Sequence, residues 1–172
     1  MLYVLVAVII VQRLLELRVA ASNLRWALAH GGKEYAPQHY PLMVVMHSAW
    51  IAALLLEGSW RGGQASSLWW LWLGLFLLAQ LGRYSVITTL GRYWNTRIVI
   101  VPGGKRIQRG LYKYLSHPNY VVVALEILVT PLIFNAWITA LVFTVLNAAL
   151  LLLVRIPAEE RALETYRANL ET

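Results

Sequence analysis

The sequence predicts an all-α integral membrane protein: five transmembrane helices, a long cytoplasmic loop and a C-terminal helical tail. Three observations predict it. Of 172 residues, 59% are hydrophobic and only 13% are charged, against roughly a quarter charged in a soluble domain. A small globule needs polar residues to cover a large surface, and this composition cannot supply them. Second, the apolar residues fall into five stretches near the length that crosses a bilayer, roughly 20 residues. Third, the Lys and Arg residues collect in alternate loops, as they do on the cytoplasmic side of membrane proteins.

The first span is Leu2 to about Ala20. Gln12, Arg13 and Glu16 lie three and four residues apart, so they can pair on one helix face. A cleaved signal peptide would want a positive start. No positive charge precedes Gln12, so a retained helix is expected. The second span, about Pro41 to Leu56, contains His47, and Pro41 suits a first turn. The third is Leu68 to Leu90. The fourth runs from Pro118 to near Phe134, and the fifth from about Ala136 to Val154. Asn135 alone separates the last two, which predicts a tight helical hairpin.

The net charge is +7, and all eight acids are Glu. In a soluble chain this balance would suggest nucleic acid. Here it reports topology. Arg61 is the one cation of the second loop. The other 14 of the 15 occupy the first loop (Arg13, Arg18, Arg25, Lys33), the third loop and its edge (Arg83, Arg92, Arg97, Lys105, Arg106, Arg109, Lys113) and the tail (Arg155, Arg161, Arg167). These segments share one side, which puts the N-terminus outside and the C-terminus in the cytoplasm. Trp60, Trp69, Trp70, Trp72 and Trp137 then form an outer aromatic belt. Neither a repeat nor a dividing linker is visible, so residues 1–172 read as a single domain, with three N-terminal spans in 1–90 and the loop, hairpin and tail in 91–172. Cysteine is absent, which removes thiolate metal sites and cysteine nucleophiles.

The third loop, Gly91 to His117, is the most informative segment. The β-branched run Thr96 to Val101 predicts a short strand, ended by a Pro102-Gly103-Gly104 turn, and Gly110 marks a second turn. Ser116-His117-Pro118 opens the fourth helix, because proline suits the first helical turn. His117 there lies beside unpaired backbone N–H groups that favour an anion, or it simply caps the helix. Past the fifth span, Arg155-Ile156-Pro157-Ala158-Glu159-Glu160 offers carboxylates for a cationic ligand or for ribose hydroxyls, or else a solvated helix with Arg161–Glu164 pairing. The hairpin returns the tail to the face that holds His117, so the two clusters converge. Glu126 lies about two turns inside the fourth helix, where an ionisable group costs roughly 3 kcal/mol on insertion scales; function is favoured there, and helix packing for Asn147. His39 and His47 have no second ligand at metal spacing, and the paired glycines match neither a Rossmann turn nor a P-loop.

These motifs resemble the isoprenylcysteine carboxyl methyltransferase family. Its pattern is G-x-Y-x-x-x-R-H-P-x-Y, two membrane helices, then R-I-x-x-E-E-x-x-L. Here Gly110, Tyr112, His117, Pro118 and Tyr120 match the first part, and Arg155, Ile156, Glu159, Glu160 and Leu163 the second. The N-terminal half is similar to a bacterial branch that includes O-methyltransferases of alkylpyrone polyketides, through Arg13 to Leu17, Asn23, Gly31-Gly32, His39-Tyr40-Pro41 and His47. The resemblance implies S-adenosylmethionine as methyl donor, bound in a cytoplasmic cofactor-binding loop by Gly110, Tyr112, His117, Pro118, Tyr120, Glu159 and Glu160. It implies Arg155 between cofactor and acceptor. Ser116 departs from the family arginine, whose contacts must be lost or supplied by Lys113 or Arg109.

The expected function is therefore integral-membrane O-methyltransfer to a lipophilic, amphipathic acceptor that enters from the lipid of a bacterial inner membrane, with no nucleic-acid partner. Methyl transfer from a sulfonium needs positioning and a dry site. A carboxylate acceptor needs an orienting cation such as Arg155. An enol or phenol also loses a proton, for which Glu126 is the expected base. An alkylpyrone-like hydroxyl is the first expected acceptor and the carboxylate of a prenylated cysteine the second. An NADPH-dependent membrane reductase and a non-enzymatic membrane subunit are the rival readings.

Overall fold

The computed structural model describes residues 1–104 and 107–168; Lys105 and Arg106 of the third-loop basic group lie outside the described residues. The helices are α1 (Leu2–Ala29), α2 (His39–Trp60), α3 (Trp69–Leu90), α4 (Pro118–Leu132), α5 (Trp137–Ala149) and α6 (Ile156–Ala168). Two three-residue strands, β1 (Lys33–Tyr35) and β2 (Ile98–Ile100), pair antiparallel, with Glu34 opposite Val99.

Among the described residues, three helical stretches are long and apolar enough to cross a membrane: His39–Trp60, Trp69–Tyr93 and Trp137–Ala168. The other two predicted spans differ for identifiable reasons. Four charged side chains, Arg13, Glu16, Arg18 and Arg25, interrupt the 28-residue α1. At 15 residues, α4 is short. Much of the outer surface is nonetheless apolar, with Val45, Leu78, Leu81, Leu141, Val145 and Leu153 all exposed.

The predicted boundaries shift in two places. The first helix runs on to Ala29, nine residues past the expected end, and in that extension Asn23 is buried and donates to the Gly91 and Trp94 carbonyls. The second passes Leu56 to Trp60, because the Glu57 charge is satisfied. Both Glu57 oxygens cap α5: the backbone N–H of Ile138 donates to Oε1 (3.1 Å) and that of Thr139 to Oε2 (2.6 Å). Arg61 Nε also donates to Oε1 (2.8 Å), and its guanidinium lies over Trp60 and Trp137. A buried carboxylate thus stands where the α5 N-terminus has orphan N–H groups and a positive dipole end.

The predicted hairpin forms. Asn135 takes a left-handed φ of 58°, and the Ala136 N–H donates to the Pro131 carbonyl (3.0 Å). Gly82 lets α4 approach α3 closely, since a Cβ there would sit 2.9 Å from Val122 Cγ2. In an apolar solvent, close van der Waals packing of this kind is what holds helices together.

The predicted fifth span and tail are one helical rod. Between α5 and α6, Leu150–Arg155 is a π-helical segment, and the Ile156 N–H donates five residues back to Leu151 O. Pro157 explains it. Proline has no N–H to give the carbonyl four residues back, and its ring crowds that carbonyl. Widening the turn relieves both problems.

The predicted strand is real, though shorter, and its partner comes from the first loop. One face of β2 buries Ile98 against Ala158 and Ala162 of α6, with Tyr35 and Ile100 alongside.

Candidate functional site

A cavity of about 410 Å³ opens at the end of the bundle opposite Trp60 and Trp137. Every helix except α5 contributes to its wall. Its outer part is lined by Tyr112, Ser116, His117, Asn119, Tyr120, Arg155 and Glu159, and its inner part by Arg13, Glu16, Met43, His47, Ser48 and Arg83. His47 is eight residues into α2, so the cavity reaches roughly 12 Å down the bundle at 1.5 Å per residue.

The two predicted clusters do converge. The Tyr120 hydroxyl donates to Glu159 Oε2. Arg155 Nε donates to the Tyr120 oxygen (3.2 Å), and its Nη2 to the Thr96 carbonyl (3.1 Å). His117 stacks on Tyr120 at 5.1 Å between ring centroids, and its Nδ1 lies 4.0 Å from Glu159 Oε2. It makes no side-chain cap bond to α4, so the capping alternative is not what the ring does. The π segment matters here, since it sets the rotation at which Arg155 leaves α5, and such segments are frequent at functional sites.

Other predicted residues fall elsewhere. Glu160 is exposed and off the cavity wall, because adjacent helix positions cannot face the same way. Arg161 donates to Pro157 O (3.1 Å) instead of pairing with Glu164. Gly110 shapes the loop: its φ is +57°, and a Cβ would meet Thr89 Oγ1 at 2.8 Å. Pro118 is buried in the first turn of α4. Tyr112 is on the wall, where burial and then Glu159 push its phenol up to about 12. Neither Lys113 nor Arg109 reaches the wall, whereas Arg97 does. Arg97 is held by Glu34 (2.7 Å) and lies over Tyr40 at 4.2 Å.

The arrangement around Glu126 gives no support to the expectation that it takes a proton from the acceptor. The residue is 4% exposed. Its Oε1 accepts from Gln80 Nε2 (2.7 Å) and Arg83 Nε (2.8 Å), and its Oε2 from Arg13 Nη2 (2.7 Å) and Arg83 Nη2. A carboxylate has about four lone-pair sites, and all are taken. Glu126 is absent from the cavity wall and serves as counter-ion to two arginines. Glu16 completes the cluster, accepting from Gln12 (3.0 Å), Arg13 (2.5 Å) and Arg83 (3.2 Å). The predicted pairing within α1 is present. Arg83, counted with the loop cations, is instead 4% exposed inside α3.

Sequence reasoning missed Trp94, Arg97, Asn119 and the wall role of His47. Trp94 Nε1 and Asn119 Oδ1 are both buried without a protein hydrogen-bond partner, and both residues line the cavity. A polar group buried this way calls for a partner. Both atoms are enclosed by the protein and sit behind the cavity surface.

Fold and site together define a mostly helical protein with a largely apolar chamber at one end, lined by aromatic rings and a few charged groups. The chain belongs to the isoprenylcysteine carboxyl methyltransferase (ICMT) family, whose model matches residues 72–165, and so to a group of membrane methyltransferases. It is 42% identical over 167 residues to an uncharacterized protein, YpbQ, of Bacillus subtilis (strain 168), covering 96% of this chain and 98% of that one. It is 28% identical over 158 residues to an uncharacterized protein of Haemophilus influenzae, covering 91% of each. No solved structure matches the chain. The family and the three long apolar helices fit an integral membrane protein.

Proposed function

We propose that this chain is an S-adenosylmethionine-dependent O-methyltransferase of the bacterial inner membrane, acting on a lipophilic hydroxyl acceptor of the alkylpyrone type. The observation that carries this reading is the shared cavity. One chamber joins the Tyr120–Glu159–Arg155 cluster to an inner wall that mixes Met43 and Ile51 with polar groups. A volume of about 410 Å³ lies in the range of small-molecule sites, roughly 300–1,000 Å³.

The residues present suit the donor. Glu159 offers a carboxylate to ribose hydroxyls or to a cationic sulfonium, and Tyr112, His117 and Tyr120 offer ring faces. When bound, the cofactor supplies an electrophilic methyl group. Gly110 and Pro118 fix the loop that carries these side chains, and Glu160 has no part in this reading. Arg155 orients the acceptor oxygen, with its own position fixed by Tyr120 and the Thr96 carbonyl. Arg97 brings a second guanidinium to the wall that Ser116 shares. Depth and apolar lining exclude water, which favours transfer to the acceptor over hydrolysis.

In this reading α1 to α5 are five membrane spans in a single domain, with the N-terminus outside and the cavity mouth facing the cytoplasm. The cofactor enters from that mouth and the acceptor from lipid. The cation asymmetry of the loops supports this orientation. The family description favours a second acceptor, the carboxylate of a prenylated cysteine, which Arg155 would suit equally. The test is to incubate purified protein with methyl-labelled S-adenosylmethionine and a panel of alkylpyrones and prenylcysteines, then identify the product by mass. A methylated pyrone supports the first reading, a prenylcysteine methyl ester the second. No labelled product from either class would sink both.

A further inference from the structure

We infer that His47 Nε2 accepts the proton of the hydroxyl acceptor; this rests on the methyltransferase reading above. A hydroxyl must lose its proton as it takes a methyl group, and the cavity wall offers few places for it. Among the described residues that line the cavity, Glu16, Glu159, His117 and His47 are the basic groups. Glu16 is held by Gln12, Arg13 and Arg83. Glu159 accepts from Tyr120 and faces His117. His117 is stacked against Tyr120 at the outer wall.

His47 differs. Its Nδ1 lies 2.8 Å from the Met43 carbonyl. A carbonyl can only accept, so Nδ1 carries the hydrogen, and in the neutral ring Nε2 carries the free lone pair. Among the described residues no group bonds Nε2. The main-chain bond thus fixes both the tautomer and the ring orientation, as a third group does for a catalytic base. The charges around the ring are Arg13 from α1, Arg83 from α3 and Glu126 from α4. Glu16, also from α1, completes their cluster, which is balanced at two arginines to two carboxylates.

The step balances as follows. The acceptor O–H bond breaks and its proton passes to Nε2. The new O–CH₃ bond forms as the donor S–CH₃ bond breaks, with that electron pair returning to sulfur. His47 then releases its proton to water through the cavity mouth. A carboxylate acceptor has no proton to lose and makes no use of the group.

The test compares wild type with His47→Asn, whose amide can still donate to Met43 O, on a long-chain alkylphenol and a long-chain carboxylic acid. A positioned base contributes roughly 10²–10⁴ in rate. Phenol turnover is expected to fall at least about a hundredfold and carboxylate turnover by far less, with binding of S-adenosylhomocysteine retained. His47→Gly with added imidazole provides a second measurement, in which free imidazole restores phenol turnover. Equal losses on both acceptors, or unchanged phenol turnover, overturn the assignment to His47 while leaving the methyltransferase reading intact. A wild type that methylates neither acceptor overturns both.

Discussion

Arg83 and Glu126 face each other across the α3–α4 contact with two parallel hydrogen bonds, Nε to Oε1 at 2.8 Å and Nη2 to Oε2, and each residue is only 4% exposed. Removing one partner of such a pair leaves an uncompensated buried charge, which costs about 3–5 kcal/mol. Glu126→Gln leaves Arg13 and Arg83 short of one carboxylate. The variant is expected to unfold at clearly lower temperature in detergent, with activity falling in step with the folded fraction. A variant that melts like wild type but has lost turnover would falsify the counter-ion role.

Glu159 and Glu160 are sequence neighbours with different surroundings. Glu159→Ala removes the carboxylate that holds Tyr120 and lines the cavity. Hydrogen bonds to charged groups contribute about 1.5–3 kcal/mol each, so affinity for S-adenosylhomocysteine should fall about tenfold or more by calorimetry. Glu160→Ala should bind as wild type does. A reversal of that ranking would place the cofactor on the other face of α6.

Glu57 lies at the opposite end of the bundle from the cavity. Its loss removes a cap on α5, typically about 1 kcal/mol and up to about 2, and leaves Arg61 unpaired. Glu57→Ala should lower the unfolding temperature and leave the kcat of the folded fraction unaltered. A selective loss of kcat at constant stability would contradict this separation of the two ends.

Tyr112 gives a pH signature. Its phenol is raised to about 12 by burial and by Glu159, against about 10 in an unfolded chain. The stability this contributes is whole below pH 10 and is lost as pH climbs toward 12, because the unfolded chain ionises first. Relative to Tyr112→Phe, wild type should therefore lose stability between about pH 10 and 12. Parallel melting curves across that window would show that the phenol is not protected.

Helix placement was legible because apolar length and hairpin punctuation are local signals. Pro118 opens α4 where expected, and Asn135 turns the hairpin. The cavity was half legible. Spacing within a helix indicated Arg13–Glu16, but Arg83–Glu126 joins residues on different helices, and sequence distance carries no sign of it. Glu57 ended a hydropathy window without ending the helix, since hydropathy cannot see a satisfied charge. The β1–β2 pair was half visible: Ile98–Ile100 is β-branched, while Lys-Glu-Tyr carries no strand signal of its own. Glu126 is unusual at its depth, but a buried carboxylate in sequence looks the same whether it awaits a proton or is held by two arginines.

The short β1–β2 ribbon also fixes an order of assembly. It joins Lys33–Tyr35 to Ile98–Ile100, and α6, the last of the described elements, lies against it. Contacts between distant segments form late because their ends must first be brought together. In a growing chain α1 can pack on α2 early, whereas α3 finds its main partner only in α4, and the part of the wall that α6 supplies waits for residues after Ile156. Chains cut short before α6 would leave the vestibule open, without Glu159 and Leu163 on its wall.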